Sequence, residues 1–363
     1  MRTLALLLVG LLLCNQAAFG ETWRTDFNKR SIELSEILSG GPPKDGIPAI
    51  DKPKFIPAKQ AKSWLHDKEP VIAIIINGEA RAYPLQILIW HEIVNDTVQN
   101  VPISVTFCPL CNASLVFKRQ LGDRVLDFGT TGRLRNSDMV MYDRQTETWW
   151  QQFTGEAIVG ELLGSKLNEL PAQIISYAEF VRVYPDAKLL SNDTGYNRDY
   201  GRNPYRGYDR VGNSPFLLDA PTDPRLPAMQ RVLAVSHAGQ NKLYPFSALN
   251  GSNIFEEHFN GMDLVIFTHQ NTLSVLDSEQ IKNSRNIISA NAFNRKVNNQ
   301  TLSFRSAGGG IEDIQTKSSW NLLGVAVSGP LAGQRLQPLP GGVHFAFAWL
   351  AFKPDSVIYN VER

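Results

Sequence analysis

Apolar residues run without a break from position 71 to 76, stop at Asn77-Gly78, and resume in alternation with polar ones from 79 to 83. An unbroken apolar run of this length suits a strand buried on both faces. Asn-Gly between two such segments is a strong signal for a two-residue hairpin turn. Further strand-length segments lie at 103–107, 114–117, 124–128, 139–142 and 157–159. Helical patterning is sparse. Residues 85–94 fit one helix. Ser176, with Glu179 three positions on, caps a second helix that runs to about Tyr184 and stops before Pro185. The chain reads as mainly β with a few helices, an α+β protein.

The pattern occurs twice. Val71 through Tyr83-Pro84-Leu85 resembles Val232 through Tyr244-Pro245-Phe246; Val105-Thr106-Phe107 resembles Val265-Ile266-Phe267; Leu126-Asp127-Phe128 resembles Leu302-Ser303-Phe304. The segment from Trp150 to Pro171 matches that from Trp320 to Pro340, and Pro185-Asp186 matches Pro354-Asp355. Blocks repeated in one order predict two tandem homologous domains from an internal duplication. The expected boundaries are an N-terminal segment at 21–54, a first repeat at 55–192, a crossover segment rich in Tyr, Arg, Gly and Pro at 193–228, and a second repeat at 229–363. The copies differ where chemistry is expected. Thr268-His269-Gln270-Asn271 stands where the first copy has Cys108-Pro109-Leu110-Cys111, no histidine faces His91, and the first copy is longer between Leu126 and Trp150.

The amino terminus adds a compartment. Met1-Arg2, an apolar run from Leu4 to Leu13, and Ala17, Ala18 and Gly20 compose a secretory signal peptide at 1–20, cut near Gly20. The apolar run is too short to span a bilayer, and no later stretch is long enough. Lipidation of Cys14 is disfavoured, because Leu13 before it is not small. The mature chain is expected in the periplasm or outside the cell. The 363 residues carry a formal net charge of +1, so nothing points to a nucleic-acid partner.

Of the three cysteines, only Cys108 and Cys111 remain once 1–20 is removed. A CxxC at a helix start would suggest a thioredoxin-like site, but the residues after Cys111 read as a strand. Three readings remain. The pair can be a disulfide, Cys108–Cys111, that pins a turn in an oxidising compartment. It can supply half of a tetrahedral metal set completed by His91 and Asp138, with zinc, or copper given Met139 and Met141, as the ion. It can be a redox-active dithiol, with Cys108 and Cys111 as the reacting groups. His91 follows Trp90 on an apolar helix, where a histidine is more often a core residue, and its case rests on belonging to one copy alone.

The stretches Trp90-His91-Glu92-Ile93-Val94-Asn95-Asp96, Phe107-Cys108-Pro109-Leu110-Cys111, Leu134-Arg135-Asn136-Ser137-Asp138, Met141-Tyr142-Asp143-Arg144-Gln145-Thr146-Glu147-Thr148 and Gly155-Glu156-Ala157 resemble the bacterial family catalogued as domain of unknown function 3179. So does Asp193-Thr194-Gly195-Tyr196 through Pro204-Tyr205. The likeness covers most of the chain after Lys54. It brings no activity with it, but implies that His91, Cys108, Cys111, Arg135, Asp138, Tyr142, Glu147, Trp150 and Glu156 belong to the family's pattern. The family's usual Gly after the second cysteine is Asn112 here, and Asn also accepts a left-handed turn.

Two functions are therefore carried forward. One is an exported metal-handling or thiol/disulfide redox protein centred on Cys108 and Cys111. The other is a non-catalytic module for a small molecule or a periplasmic protein, in which the CxxC is a staple. Candidate ligand contacts are Arg135, Tyr142, Trp150 and Glu156, with Tyr200, Arg202 and Tyr205 of the crossover. No nucleophile motif such as GxSxG is present.

Overall fold

Strand Pro70–Ile76 pairs antiparallel with Glu79–Pro84 in a register that sets Ile76 opposite Glu79. Asn77 and Gly78 between them have φ of 48° and 84°, the left-handed pair that a type I′ turn requires. This computed structural model describes residues 22–218 and 220–359. The signal peptide, its cut near Gly20 and Cys14 lie outside the described residues.

The hairpin is the centre of a five-stranded sheet. Gln173–Ser176 lies on one side; Lys188–Leu190, running parallel, and then Phe55–Pro57 lie on the other. A second sheet has the order Ile93–Val98, Val101–Cys108, Ala113–Lys118, Asn168–Leu170. A third has Leu38–Ser39, Phe128–Arg135, Asp138–Asp143, Trp149–Gln151, Glu156–Val159. Strands hold 43% of the chain and helices 10%, so the fold is mainly β.

The C-terminal half presents three sheets in like order. Gly341–Phe345, Arg231–His237, Gln240–Pro245 and Val357–Ile358 form one, with the last strand again parallel. Ile254–Phe259, Met262–Leu273, Asn286–Asn294 and Gln337–Pro338 form another, and Phe304–Ala307, Gly310–Asp313, Ser319–Trp320 and Ala326–Ser328 the third. Side-chain bonds match as well. Asp143 accepts from the Thr146 N–H at 2.7 Å and the Trp150 indole at 2.9 Å. Asp313 accepts from the Thr316 N–H at 2.6 Å and the Trp320 indole at 3.0 Å.

Local expectations are met with shifted ends. The helix expected over 85–94 is Leu85–His91. Glu92 caps it with φ 58°, and Ile93 already opens a strand. The strand expected over 124–128 is only Arg124–Val125, while Phe128 starts a longer strand to Arg135. The second helix is Tyr177–Val183, and its cap Ser176 accepts the Glu179 N–H. No helix among the described residues is long and apolar enough to cross a membrane.

The two halves share their interior. The largest apolar cluster joins Ile72, Tyr83, Phe107, Phe128 and Trp150 to Val232, Phe345 and Trp349. A second joins Val71 and Tyr177 to Phe267 and Trp320. Apolar area removed from water is the main driving term in folding, so the halves hold each other.

Glu69 carries a pH dependence in this interior. Its carboxylate accepts from the His66 N–H at 3.2 Å and the Gln86 amide at 3.0 Å. Burial still pushes it from its ordinary 4.5 up to about 7, against the opposing His66 bond and Lys282 charge. The unfolded chain then loses this proton at lower pH than the folded one, so stability falls as pH rises from about 4.5 to 7. Glu69→Gln is expected to abolish that decline and to be more stable at pH 8 by on the order of 2 kcal/mol. Urea midpoints at pH 5 and pH 8 test this; equal pH responses in the two proteins would refute it.

Candidate functional site

Val101–Cys108 turns back into Ala113–Lys118 in a register that pairs Cys108 with Ala113. The four residues between make the turn, closed by the Asn112 N–H on the Pro109 carbonyl at 3.2 Å. Asn112 has φ 50°, a left-handed position that Asn accepts. The C-terminal half anchors the turn, because the Phe345 N–H donates to the Cys111 carbonyl at 3.0 Å.

A second hairpin brings in the carboxylate. Arg135 pairs with Asp138 across Asn136 and Ser137, whose φ values of 50° and 66° again make a tight left-handed turn. Asp138 is thereby placed against the thiols. One ligand atom each from Cys108, Cys111 and Asp138 lies within 4.8 Å of the others, and all three residues are buried. With its amide turned to satisfy both neighbours, Gln152 donates to the two Asp138 oxygens at 2.8 and 3.1 Å and accepts from the Thr106 hydroxyl at 2.8 Å.

Of the three readings of the pair, the structure does not draw the disulfide. Cys108 and Cys111 are free thiols, 4.1 Å apart, against the ~2.05 Å of a sulfur–sulfur bond. The two differ in acidity. Burial raises Cys108, but the Cys111 thiol and the backbone N–H groups of Cys111, Met139 and Leu110 outweigh it and hold Cys108 below its ordinary value. Burial, with Cys108 beside it, pushes Cys111 well up. Burial first and Cys108 second also push the Asp138 and Glu92 carboxyls well above the usual range.

Glu92 is the residue that sequence reasoning missed. It is 7% exposed, its carboxyl has no hydrogen-bond partner among the described residues, and its backbone (φ 58°, ψ −31°) is costly for any residue with a side chain. One signal for it was in the chain: with His91 it interrupts an apolar segment from Ile87 to Val94.

His91 points elsewhere. Its Nδ1 donates to the Pro48 carbonyl at 2.8 Å, which leaves Nε2 to accept from the Tyr200 hydroxyl at 2.7 Å. Burial lowers it to about 4, opposed by the Pro48 carbonyl and assisted by Arg198, so the ring is neutral and both nitrogens are engaged. It fastens the crossover segment and does not join the cluster of ligand atoms. The other candidates are dispersed. Arg135 pairs with Glu36 at 2.7 Å. Tyr142 bonds Asp45 at 2.5 Å. Glu156 pairs with Lys166 at 2.9 Å. Trp150 is core, and Arg202 pairs with Glu279 at 3.0 Å. Tyr205 alone of these reaches the site. With Tyr208 and Phe216 it covers a chamber of about 320 Å³ whose other walls include Glu92, Leu110 and Met139.

A family profile described as "Protein of unknown function (DUF3179)" matches residues 44–356. The chain belongs to this family. No curated protein and no solved structure matches it significantly. The DUF3179 match spans both halves, so the family unit includes the C-terminal strand that anchors the cysteine turn.

Strain at Glu92 predicts a trade. Glu92→Gly is expected to raise the stability to unfolding by about 1 kcal/mol, read as a higher urea midpoint, since glycine tolerates this backbone and no acid need be buried. An unchanged or lower midpoint would show that the position stores no strain.

Proposed function

We propose that this DUF3179 protein is an exported metal-binding protein, with Cys108, Cys111 and Asp138 as ligands and zinc or copper as the ion. One observation carries the reading: two free sulfurs and a carboxylate converge within 4.8 Å of one another, all three residues buried. Two thiolates on one tetrahedral metal at ~2.3 Å stand roughly 3.8 Å apart, close to the 4.1 Å here. A cation is also what lets buried acids give up their protons. Thiolate ligands suit zinc and Cu(I). Export rests on the charged start and apolar run of residues 1–20.

We further infer that the halves are copies, 55–192 and 229–363, joined by the crossover at 193–228. The like strand orders and the paired Asp143–Trp150 and Asp313–Trp320 bonds support this. Only the first copy keeps ligands. In the second, Thr268 to Asn271 falls within strand Met262–Leu273, so no turn forms there to gather side chains.

A dithiol redox role is the second reading, favoured by the unequal thiols. Cys108 would be the attacking sulfur and Cys111 the one that resolves. A separate binding module with a stapled CxxC has less support, because Tyr205 lies at the cysteine site and Arg202 is engaged by Glu279.

Native and denaturing mass spectra of periplasmically exported protein separate these. A metal site predicts one added zinc or copper in the native spectrum, a full set of thiol hydrogens on denaturation, and loss of the metal in Cys108→Ser and Cys111→Ser. Ligation expels protons, Cys111's above all, so affinity is expected to fall as pH falls. A denatured mass short of two hydrogens, with no metal, would instead establish a disulfide.

A further inference from the structure

The chamber under Tyr205 and Tyr208 is a place of its own: none of Cys108, Cys111 and Asp138 lines it. Its walls are mostly apolar, Ile47, Leu110, Leu134 and Met139 among them, beneath three aromatic rings. Thr130 and Arg133 share one wall because the register of strand Phe128–Arg135 shifts between them. Without that bulge, residues three apart would face opposite sides of the strand. The bulge holds Gly132 at φ 69°, where a Cβ would stand 1.9 Å from the Pro42 carbonyl oxygen, so only glycine fits there.

Two polar side chains line the chamber unanswered. Glu92 is 7% exposed, and its carboxyl has no hydrogen-bond partner among the described residues. Burial holds that carboxyl in its protonated form, so it offers an O–H to the chamber. The Tyr205 hydroxyl has no partner among the described residues either. Burial first and Glu92 second raise it above its ordinary value, which places the two donors near each other. The Thr130 hydroxyl, by contrast, is already given to the Ile47 carbonyl at 2.8 Å. A buried donor without an acceptor is costly, and Glu92 sits on strained backbone besides. Strain kept at a cavity wall points to use.

We propose that the chamber binds a small, uncharged, mainly apolar molecule by one carbonyl oxygen, which accepts from both Glu92 and Tyr205. This does not depend on a metal at Cys108, Cys111 and Asp138. Three observations select the ligand. The volume, about 320 Å³, lies at the small end of ligand sites. The charges select against ions of either sign: the Cys108 sulfur bears on both Glu92 and Tyr205 and opposes an anion, while Arg133 in the wall opposes a cation. The unanswered groups are donors, so what they lack is an acceptor, and a carbonyl oxygen has two lone pairs to give. The apolar body of the ligand then lies against the rings and Leu134.

The test uses the mature full-length protein with acetophenone as probe, calorimetric titration for affinity and infrared difference spectra for the bound carbonyl. Saturable binding is expected. Glu92→Leu should weaken it about tenfold, as the loss of one hydrogen bond in a dry site does, and should move the carbonyl band to higher frequency. Tyr205→Phe should act in the same way, and as the loss of a single hydroxyl it carries the test if Glu92→Leu does not fold. Glu92→Gln, whose amide still donates, should stay within about threefold of the wild type. No saturable binding would overturn the proposal, as would an unchanged affinity and carbonyl band in either folded variant. Tighter binding of benzoate or benzylamine than of acetophenone would overturn it too, since the chamber would then select a charge. A protein that takes up no zinc or copper would overturn the metal reading alone.

Discussion

Four acids are buried close together, each felt by another: Cys108, Cys111, Asp138 and Glu92. Each charge placed there raises the cost of the next: Cys108 is held below its ordinary value, while Cys111, Asp138 and Glu92 are pushed above theirs. An apolar core would fold more easily than this. The arrangement persists because the surrounding backbone leaves these side chains no other direction. Asn112, Asn136, Ser137 and Glu92 all have positive φ, and each ends or turns the element that delivers a group to the pocket. The site is thus made by three chain reversals converging on one point, at the ends of strands whose own pairing is regular.

Much of this was written in the chain. The Asn77-Gly78 hairpin, the capped helix at Ser176 and the CxxC reversal each have a local cause, and local causes can be read from local residues. Asp138 could be named because the first half is longer around it. Glu92 carried only a faint signal, since one acid inside the segment 85–94 expected to be helical reads as an ordinary surface position. What buries it is the crossover segment, more than a hundred residues away in sequence. His91 was misplaced for a related reason. Its residue type suits a metal, but the Pro48 carbonyl and Tyr200 hydroxyl reach it first, and neither partner is visible from its neighbours in the chain.

The C-terminal half has a part in the site without lending a side chain to the ligand set. Its strand Gly341–Phe345 bonds the Cys111 carbonyl, and its core residues merge with those under the first hairpin. A tight turn with two left-over backbone groups is a weak place to hold a dithiol in fixed geometry. Fixing its carbonyl to a strand of another sheet removes that freedom, which positions the sulfurs at the cost of a hydrogen bond and not of a covalent link.

The crossover completes the enclosure and shows why its tyrosines belong there. Tyr200 binds His91 through its hydroxyl, while Tyr205 and Tyr208 press their rings on the core and over the chamber. A ring excludes water from the acids, and its polar tip still finds a partner, as Tyr208 does on the Phe216 N–H at 3.1 Å. Leucines would seal the pocket without that anchorage; charged residues would hydrate it. The segment is pinned at its far end by buried Asp209, paired with Arg231 at 2.8 Å and Arg285 at 2.6 Å. Held at Tyr200 and at Asp209, the stretch between lays the Tyr205 and Tyr208 rings over the chamber while Arg202 and Arg206 turn to Glu279, and the burial this gives is the first cause of the weakened acidity of Glu92, Cys111 and Asp138.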